Sequence, residues 1–92
     1  MTCEELLGEL EDSEIRLRHF FKEMGWWNRW KGTPNEDLVA AFNWHKQKCM
    51  MVSQHIEHGQ FPLHEKEQLK TALAKAENLL KEVLRSFPIL IK

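Results

Sequence analysis

Apolar residues recur along this 92-residue chain at steps of three and four, in three segments separated by glycine and proline. This spacing places the apolar residues of each segment on one face of an α-helix. It predicts helices over about residues 3–24, 34–58 and 63–87, within a single domain. The remaining residues form a tryptophan-rich corner at 25–33 and a hydrophobic tail at 88–92.

The first helix has both a start signal and a stop signal. Thr2 followed three residues later by Glu5 is a capping box, in which each side chain satisfies a free backbone amide of the other residue. Gly25 favours a helix end, and Ile15 falls outside the apolar stripe. The stripe itself consists of Leu6, Leu7, Leu10, Leu17, Phe20, Phe21 and Met24.

The other two helices follow heptad seams, in which apolar positions alternate steps of four and three. Residues 33–36 predict the start of the second helix, with a proline at its first position, and Gly59 predicts its end. Pro62 opens the third helix, and Pro88 ends it because the residue before a proline resists α geometry. The second seam is Leu38, Phe42, His45, Cys49, Val52 and Ile56, widened by Ala41, Trp44 and Met51. The third seam is Leu69, Leu73, Ala76, Leu80, Val83 and Phe87, broadened by Ala72 and Leu79.

The predicted architecture is all-α, an antiparallel up-down-up bundle of three heptad-patterned helices. Only Gly59 to Phe61 separate the second helix from the third, which forces the two to be antiparallel neighbours. Heptad ridges then pack at a shallow crossing angle. An alternative is a helical hairpin that dimerises into a larger bundle, because all three helices carry sustained heptads.

Composition favours a small soluble protein of the cytoplasm. Hydrophobic residues make up 42% of the chain and charged residues 29%, and no apolar run approaches the roughly 18 residues of a membrane span. Cys3 and Cys49 are too few for a disulfide framework, so we expect reduced thiols. The acidic start of the sequence is unlike a signal peptide, and we expect no contact with a membrane.

The net charge of −1 conceals an uneven distribution of charge. Residues 1–24 sum to −4, residues 25–61 to +1 and residues 62–92 to +2. This asymmetry favours pairing of the first helix with the others, within one chain or between two chains. The near balance lacks the basic excess of a dedicated nucleic-acid binder. Two pairs on the first helix are spaced for ion pairs on its exposed face: Asp12 with Arg16, and Glu14 with Arg18.

Three of the four tryptophans lie within five residues, between two glycines. They could cap the bundle by burying their indoles against the helix ends. They could instead form a protein-binding hot spot, a stacking platform for single-stranded nucleic acid or a membrane-interface anchor. We favour a protein partner, because two cations are few for binding phosphates or lipids. The corner residues are Trp26, Trp27, Arg29, Trp30 and Lys31.

The tail carries Ile89 and Leu90, aliphatic residues that are unfavourable when fully exposed. They either fold back onto the bundle or contact a partner, for example as a strand added to the edge of its sheet.

Four of the five histidines lie between residues 45 and 64. His45 and Cys49 are four residues apart and share a helix face, and His55 and His58 follow, so these four residues are an alternative metal site. The spacing matches no zinc pattern, and the seam position favours a core histidine and a small buried thiol. A buried imidazole would also make the protein sensitive to pH.

No catalytic motif is present, since the sequence has no phosphate-binding glycine loop, no nucleophile elbow and no HExxH. The carboxylates of the first helix are expected to form a solvated face. We therefore expect a non-enzymatic module without a cofactor that docks on a larger protein or complex and modulates it, as an adaptor, subunit or inhibitor. The contact would combine the tryptophan corner with the tail, and a homodimer is a further expectation. The alternatives are a metal- or pH-responsive regulator and a single-stranded nucleic-acid binder.

Overall fold

Three long helices and one short helical turn make up the computed structural model of this protein. It describes the backbone of residues 2–31 and 36–91, and the side chains of these residues except 23–31, 89 and 91. Helix α1 spans Cys3–Lys31, α2 spans Glu36–His58 and α3 spans Leu63–Ser86, followed by a 3₁₀ turn at Pro88–Ile91.

The start of α1 confirms the predicted capping box. The backbone N–H of Glu5 donates to the hydroxyl of Thr2 over 3.2 Å, and the Thr2 amide lies 3.4 Å from a carboxylate oxygen of Glu5.

The predicted end of α1 at residue 24 is wrong, because the helix continues through Gly25 to Lys31. A glycine inside a helix costs only about 1 kcal/mol relative to alanine. It therefore ends a helix only where the chain gains something by leaving it. A proline, by contrast, clashes with a preceding helical turn wherever it occurs, and the first proline in the sequence is Pro34.

Helix α2 ends at His58, as Gly59 predicts. The Gly59 amide donates to the carbonyl of His55 over 2.7 Å, and a Cβ at this position would collide with that carbonyl and with the ring of Phe61. Helix α3 starts after Pro62, as predicted. The predicted start of α2 at residue 34 and the first three residues of its capping signature, 33–35, lie outside the described residues, and Glu36 is the first described residue of the helix.

The core has two apolar clusters, whose membership shows how the helices run. In the first, Leu6 and Leu10 of α1 pack with residues near the end of α2 and the start of α3. In the second, Leu17 of α1 packs with the start of α2 and the end of α3. Helix α2 is therefore antiparallel to α1 and α3, and all three helix pairs are in contact. The up-down-up three-helix bundle is confirmed.

Burial follows the predicted seams closely in α2, where all six seam residues are buried. In α3 the fully buried positions include Leu79, whereas Leu73 and Leu80 are only partly buried. Ile15 is 58% exposed, as its place outside the stripe predicts. None of the helices in the described part of the chain is both long enough and apolar enough to cross a membrane.

Candidate functional site

A polar layer crosses the middle of the bundle between the two apolar clusters. His45 of α2 is fully buried there, and so is Ser13 of α1. The hydroxyl oxygen of Ser13 lies 2.7 Å from Nδ1 of the imidazole. Nε2 lies 3.1 Å from the backbone carbonyl oxygen of Ala76 in α3. One side chain thus joins all three helices.

The heptad pattern explains why these residues meet. Ser13 occupies the slot between Leu10 and Leu17 at steps of three and four, so the α1 seam has one polar member. His45 is the polar member of the α2 seam, and Ala76 is the smallest member of the α3 seam. The methyl side chain of Ala76 leaves room for the imidazole to approach the helix backbone. Sequence reasoning missed Ser13, although the gap in the α1 stripe marks its position.

The hydrogen bonds fix the neutral tautomer of His45. A carbonyl only accepts, so Nε2 carries the hydrogen that is donated to Ala76. In the neutral ring, Nδ1 then accepts from the Ser13 hydroxyl. The same hydroxyl lies 3.1 Å from the carbonyl oxygen of Leu10 and can turn to donate there if Nδ1 becomes protonated. The layer therefore offers hydrogen bonds to both protonation states.

Burial lowers the pKa of His45, because the charged ring is poorly solvated inside the bundle. The Ala76 carbonyl and the Glu14 carboxylate oppose this shift, and the positive charge of Arg18 adds to it. Because the net shift is downward, the ring is neutral at pH 7. His45 is the core histidine that its seam position predicts.

Glu14 departs from the expectation that the α1 carboxylates form a solvated face. Its side chain is only 15% exposed and lies 3.9 Å from both Arg18 and Lys75. The predicted pair of Glu14 with Arg18 is confirmed, and the contact with Lys75 adds a link to α3. Position 14 neighbours the buried Ser13, which brings the carboxylate to the edge of the polar layer.

The alternative metal site is not assembled in this fold. Both ring nitrogens of His45 are engaged in hydrogen bonds, and the side chain of His58 is 80% exposed beside Glu57. Among the described residues, no three His, Cys, Asp or Glu side chains come close enough together to hold a metal ion.

Cys49 is a buried free thiol, as predicted. Burial, together with the smaller effect of the Glu77 and Glu14 carboxylates, raises the pKa of this thiol to about 11. Burial likewise raises the pKa of Cys3. Since the thiolate is the reactive and metal-binding form, both residues are packing groups at neutral pH.

The surface between α1 and α2 carries an aromatic feature centred on Trp44. The guanidinium carbon of Arg16 lies 4.7 Å from the centre of the Trp44 ring, within cation–π range. Lys48 lies 5.8 Å from the same ring and 2.6 Å from a carboxylate oxygen of Glu9. Arg16 therefore contacts an indole of α2 rather than forming the predicted ion pair with Asp12.

An open groove of about 540 Å³ lies at this surface. We call it the Trp44 groove. Its walls carry aromatic rings and two alanines, with a cation contributed by α1 and an anion by α2. The lining residues are Arg16, Phe20, Asp37, Ala40, Ala41 and Trp44.

The tryptophan corner lies on the helical extension of α1, but its side chains lie outside the described residues. This holds for all five predicted contact residues, Trp26, Trp27, Arg29, Trp30 and Lys31. The helical backbone puts positions 26, 27 and 30 within an arc of about 100° at 3.6 residues per turn. In the tail, Leu90 folds back onto the second cluster and is half-buried, whereas the side chain of Ile89 lies outside the described residues.

Comparison of the chain with protein-family models, curated proteins and solved structures finds no match. Three features of the chain itself bear on function: the polar layer at His45, the Trp44 groove and the helical extension of α1.

Proposed function

We propose that this protein is a small, non-enzymatic interaction module of the cytoplasm. It docks on a larger protein or complex and modulates that partner as an adaptor, subunit or inhibitor. The contact is made by residues 26–31, the part of the tryptophan corner that carries its three indoles and two cations, which we call the tryptophan segment. The observation that carries the proposal is the continuation of α1 as a helix to Lys31.

A helical tryptophan segment suits a protein contact better than a loop does. Helix α1 has 29 residues and α2 has 23. Helix α1 is therefore longer than α2 by six residues, or about 9 Å at 1.5 Å per residue. Aromatic side chains on a helix lose less conformational freedom on binding than the same side chains on a flexible loop. Trp and Arg are also the residues most enriched at the energetic centres of interfaces.

The hydrophobic tail contributes less to this proposal than the tryptophan segment. Leu90 packs against the core cluster that contains Phe87, and its amide lies 3.1 Å from the Phe87 carbonyl. A residue held in this way stabilises the end of α3. We therefore place the contact on residues 26–31 and treat Ile89 and Leu90 as secondary.

A second candidate function is a pH-responsive regulator centred on His45. It is favoured by the position of the imidazole, which is fully buried and bonded to α1 and α3. Protonation would place a charge where the three helices meet. The metal-responsive form gains no such support, because His45 has no ring nitrogen left for a metal ion.

Tryptophan fluorescence gives the first test of the docking surface. In a Trp44→Phe variant, the three tryptophans of residues 26–31 are the only indoles in the chain. We expect red-shifted emission and efficient quenching by acrylamide, as for solvent-accessible rings. Blue-shifted emission that resists quenching would show that the indoles cap the bundle, and would overturn the proposal.

Affinity capture from the source cells gives the second test. Mass spectrometry should identify a protein that is retained by the wild-type chain and lost with Trp27→Ala. Ile15→Ala is the matched control, because Ile15 is an apolar residue of the same helix and is 58% exposed. The captured protein is then purified and titrated with both variants. Equal binding of wild type and Trp27→Ala, or recovery of nucleic acid alone, contradicts the proposal.

A further inference from the structure

The Trp44 groove has charges at two places and small residues between them. Asp37, Ala40, Ala41 and Trp44 lie at steps of three, one and three along α2, so they share one face of that helix. Ala40 is exposed and Ala41 is buried beneath it. The guanidinium of Arg16 rests on the Trp44 end of this face, and the Asp37 carboxylate stands at the other end.

We propose that a second copy of this chain occupies the Trp44 groove. The two copies pack α2 against α2 in an antiparallel arrangement, about a two-fold axis that passes between positions 40 and 41. This inference concerns a different surface from the tryptophan segment. It stands or falls separately from the proposed docking on a larger protein.

Charge complementarity is what identifies a second copy as the occupant. In a two-fold interface every contact occurs twice: if residue i of the first copy contacts residue j of the second, then residue j of the first copy also contacts residue i of the second. Positions 37 and 44 are equally far from the midpoint between positions 40 and 41. In an antiparallel pair, Asp37 of one copy therefore faces Trp44 of the other, where Arg16 lies. Each dimer gains two Asp37–Arg16 pairs between the copies.

The surroundings of Arg16 and Asp37 in the monomer are consistent with a pairing between two copies. Neither Arg16 nor Asp37 has an ion-pair partner within the described part of the chain. Stacking on Trp44 restricts the guanidinium while its N–H groups remain available for a carboxylate, which Arg binds with two parallel hydrogen bonds. The pair thus needs little rearrangement of either copy.

The apolar part of the groove suits close packing of two helices. Alanine at the centre of the contact lets two helices approach to the short end of the usual 8–10 Å separation. Trp44 and Phe20 are both half-buried in the monomer and offer aromatic surface beside that centre. Burial of these rings supplies the favourable hydrophobic contribution, and the charges fix the orientation.

Sedimentation equilibrium of the full chain tests the proposal. We expect a concentration-dependent equilibrium between monomer and dimer. Arg16→Asp and Asp37→Arg should each weaken the dimer about tenfold or more, since two ion pairs become two like-charge contacts. The double variant reverses both charges and should return to within about threefold of the wild type. Lys70→Asp, an exposed α3 residue with the same change of charge as Arg16→Asp, is the control.

Cysteine crosslinking provides a readout that does not depend on charge. Position 40 lies directly beside the proposed axis, so in an Ala40→Cys variant the two introduced thiols come close together and should form a disulfide-linked dimer on mild oxidation. Met50→Cys is the matched control, because position 50 is exposed on the same helix but lies outside the groove. Circular dichroism checks that every variant is folded.

Each result decides the proposal. Dimerisation with rescue by the double charge reversal and crosslinking at position 40 supports it. A chain that stays monomeric at the highest soluble concentration overturns it and leaves the groove to a partner of another sequence. A dimer that forms crosslinks at position 50 rather than 40, or that ignores both charge reversals, also overturns it.

Discussion

The hydroxyl oxygen of Ser13 lies 2.7 Å from Nδ1 of His45, at the level where the seams of α1 and α2 each replace one apolar residue by a polar one. The pair is satisfied only when the two helices are in this register. A slip of one helical turn, about 5.4 Å, would bury both polar groups without partners. The contact therefore specifies the alignment of α1 with α2, in the way that a single polar seam residue sets register in coiled coils.

Ser13→Ala should destabilise the bundle by about 1–3 kcal/mol, because Nδ1 of His45 loses its partner while remaining buried. The double variant Ser13→Ala/His45→Leu should recover most of this loss, since no polar side chain is then left unpaired. Urea unfolding at pH 7.5 is measured for the wild type, the two single variants Ser13→Ala and His45→Leu, and the double variant. Additive losses in the double variant would show that the two residues do not act as a pair.

Acid should weaken the fold through His45. Because the pKa of His45 is lower in the folded protein than its ordinary value of 6.5, the unfolded chain binds more protons as the pH falls below about 7. The free energy of unfolding is then greatest above the unfolded pKa, and it decreases as the pH falls through 6.5 toward the folded value.

Urea titrations of wild type and His45→Gln across pH 5 to 8 measure this effect. Glutamine cannot titrate, so the free energy of unfolding of the His45→Gln variant should change less over this pH range than that of the wild type. His58→Gln, at an exposed position, is the control and should keep the wild-type slope. Equal slopes for wild type and His45→Gln would contradict the assignment.

Alkali should weaken the fold through Cys49. Its pKa is raised to about 11 from 9.0, so the unfolded chain loses its thiol proton first as the pH rises. The contribution to stability is complete below pH 9 and is lost between pH 9 and 11. The measurement is urea unfolding of wild type and Cys49→Ala at pH 8 and pH 10.5. The alanine variant starts less stable and should lose less on going to the higher pH.

The sequence predicts most of this fold because the apolar positions of a heptad seam are the ones that become buried between helices. Every seam residue of α2 is buried, and the capping box at Thr2 forms as expected. The end of α1 was not predictable in this way, because Gly25 permits a helix end without requiring one.

The candidate sites were less predictable than the fold. An apolar stripe is found by counting apolar residues, so Ser13 registers only as a gap until His45 is placed opposite it. Arg16 and Asp12 have the right local spacing for an ion pair, yet Arg16 lies on Trp44, a residue 28 positions away in the sequence. Spacing rules within one helix cannot predict this contact, because it forms only when α1 and α2 pack together.

Gly8 and Gly59 lie in contrasting surroundings, so replacing each by alanine should change the stability of the protein in opposite directions. A Cβ at Gly59 would collide with the His55 carbonyl and the Phe61 ring, so Gly59→Ala should destabilise the protein by about 1–3 kcal/mol. A Cβ at Gly8 meets nothing within 4 Å. Because Gly8 lies inside α1, Gly8→Ala should stabilise the protein by about 0.5–1 kcal/mol through the smaller entropy of the unfolded chain. Thermal and urea unfolding of both variants check the pair. A loss of stability at both positions would mean that the open space at Gly8 is filled, and a gain at both would mean that the turn after α2 relaxes without cost.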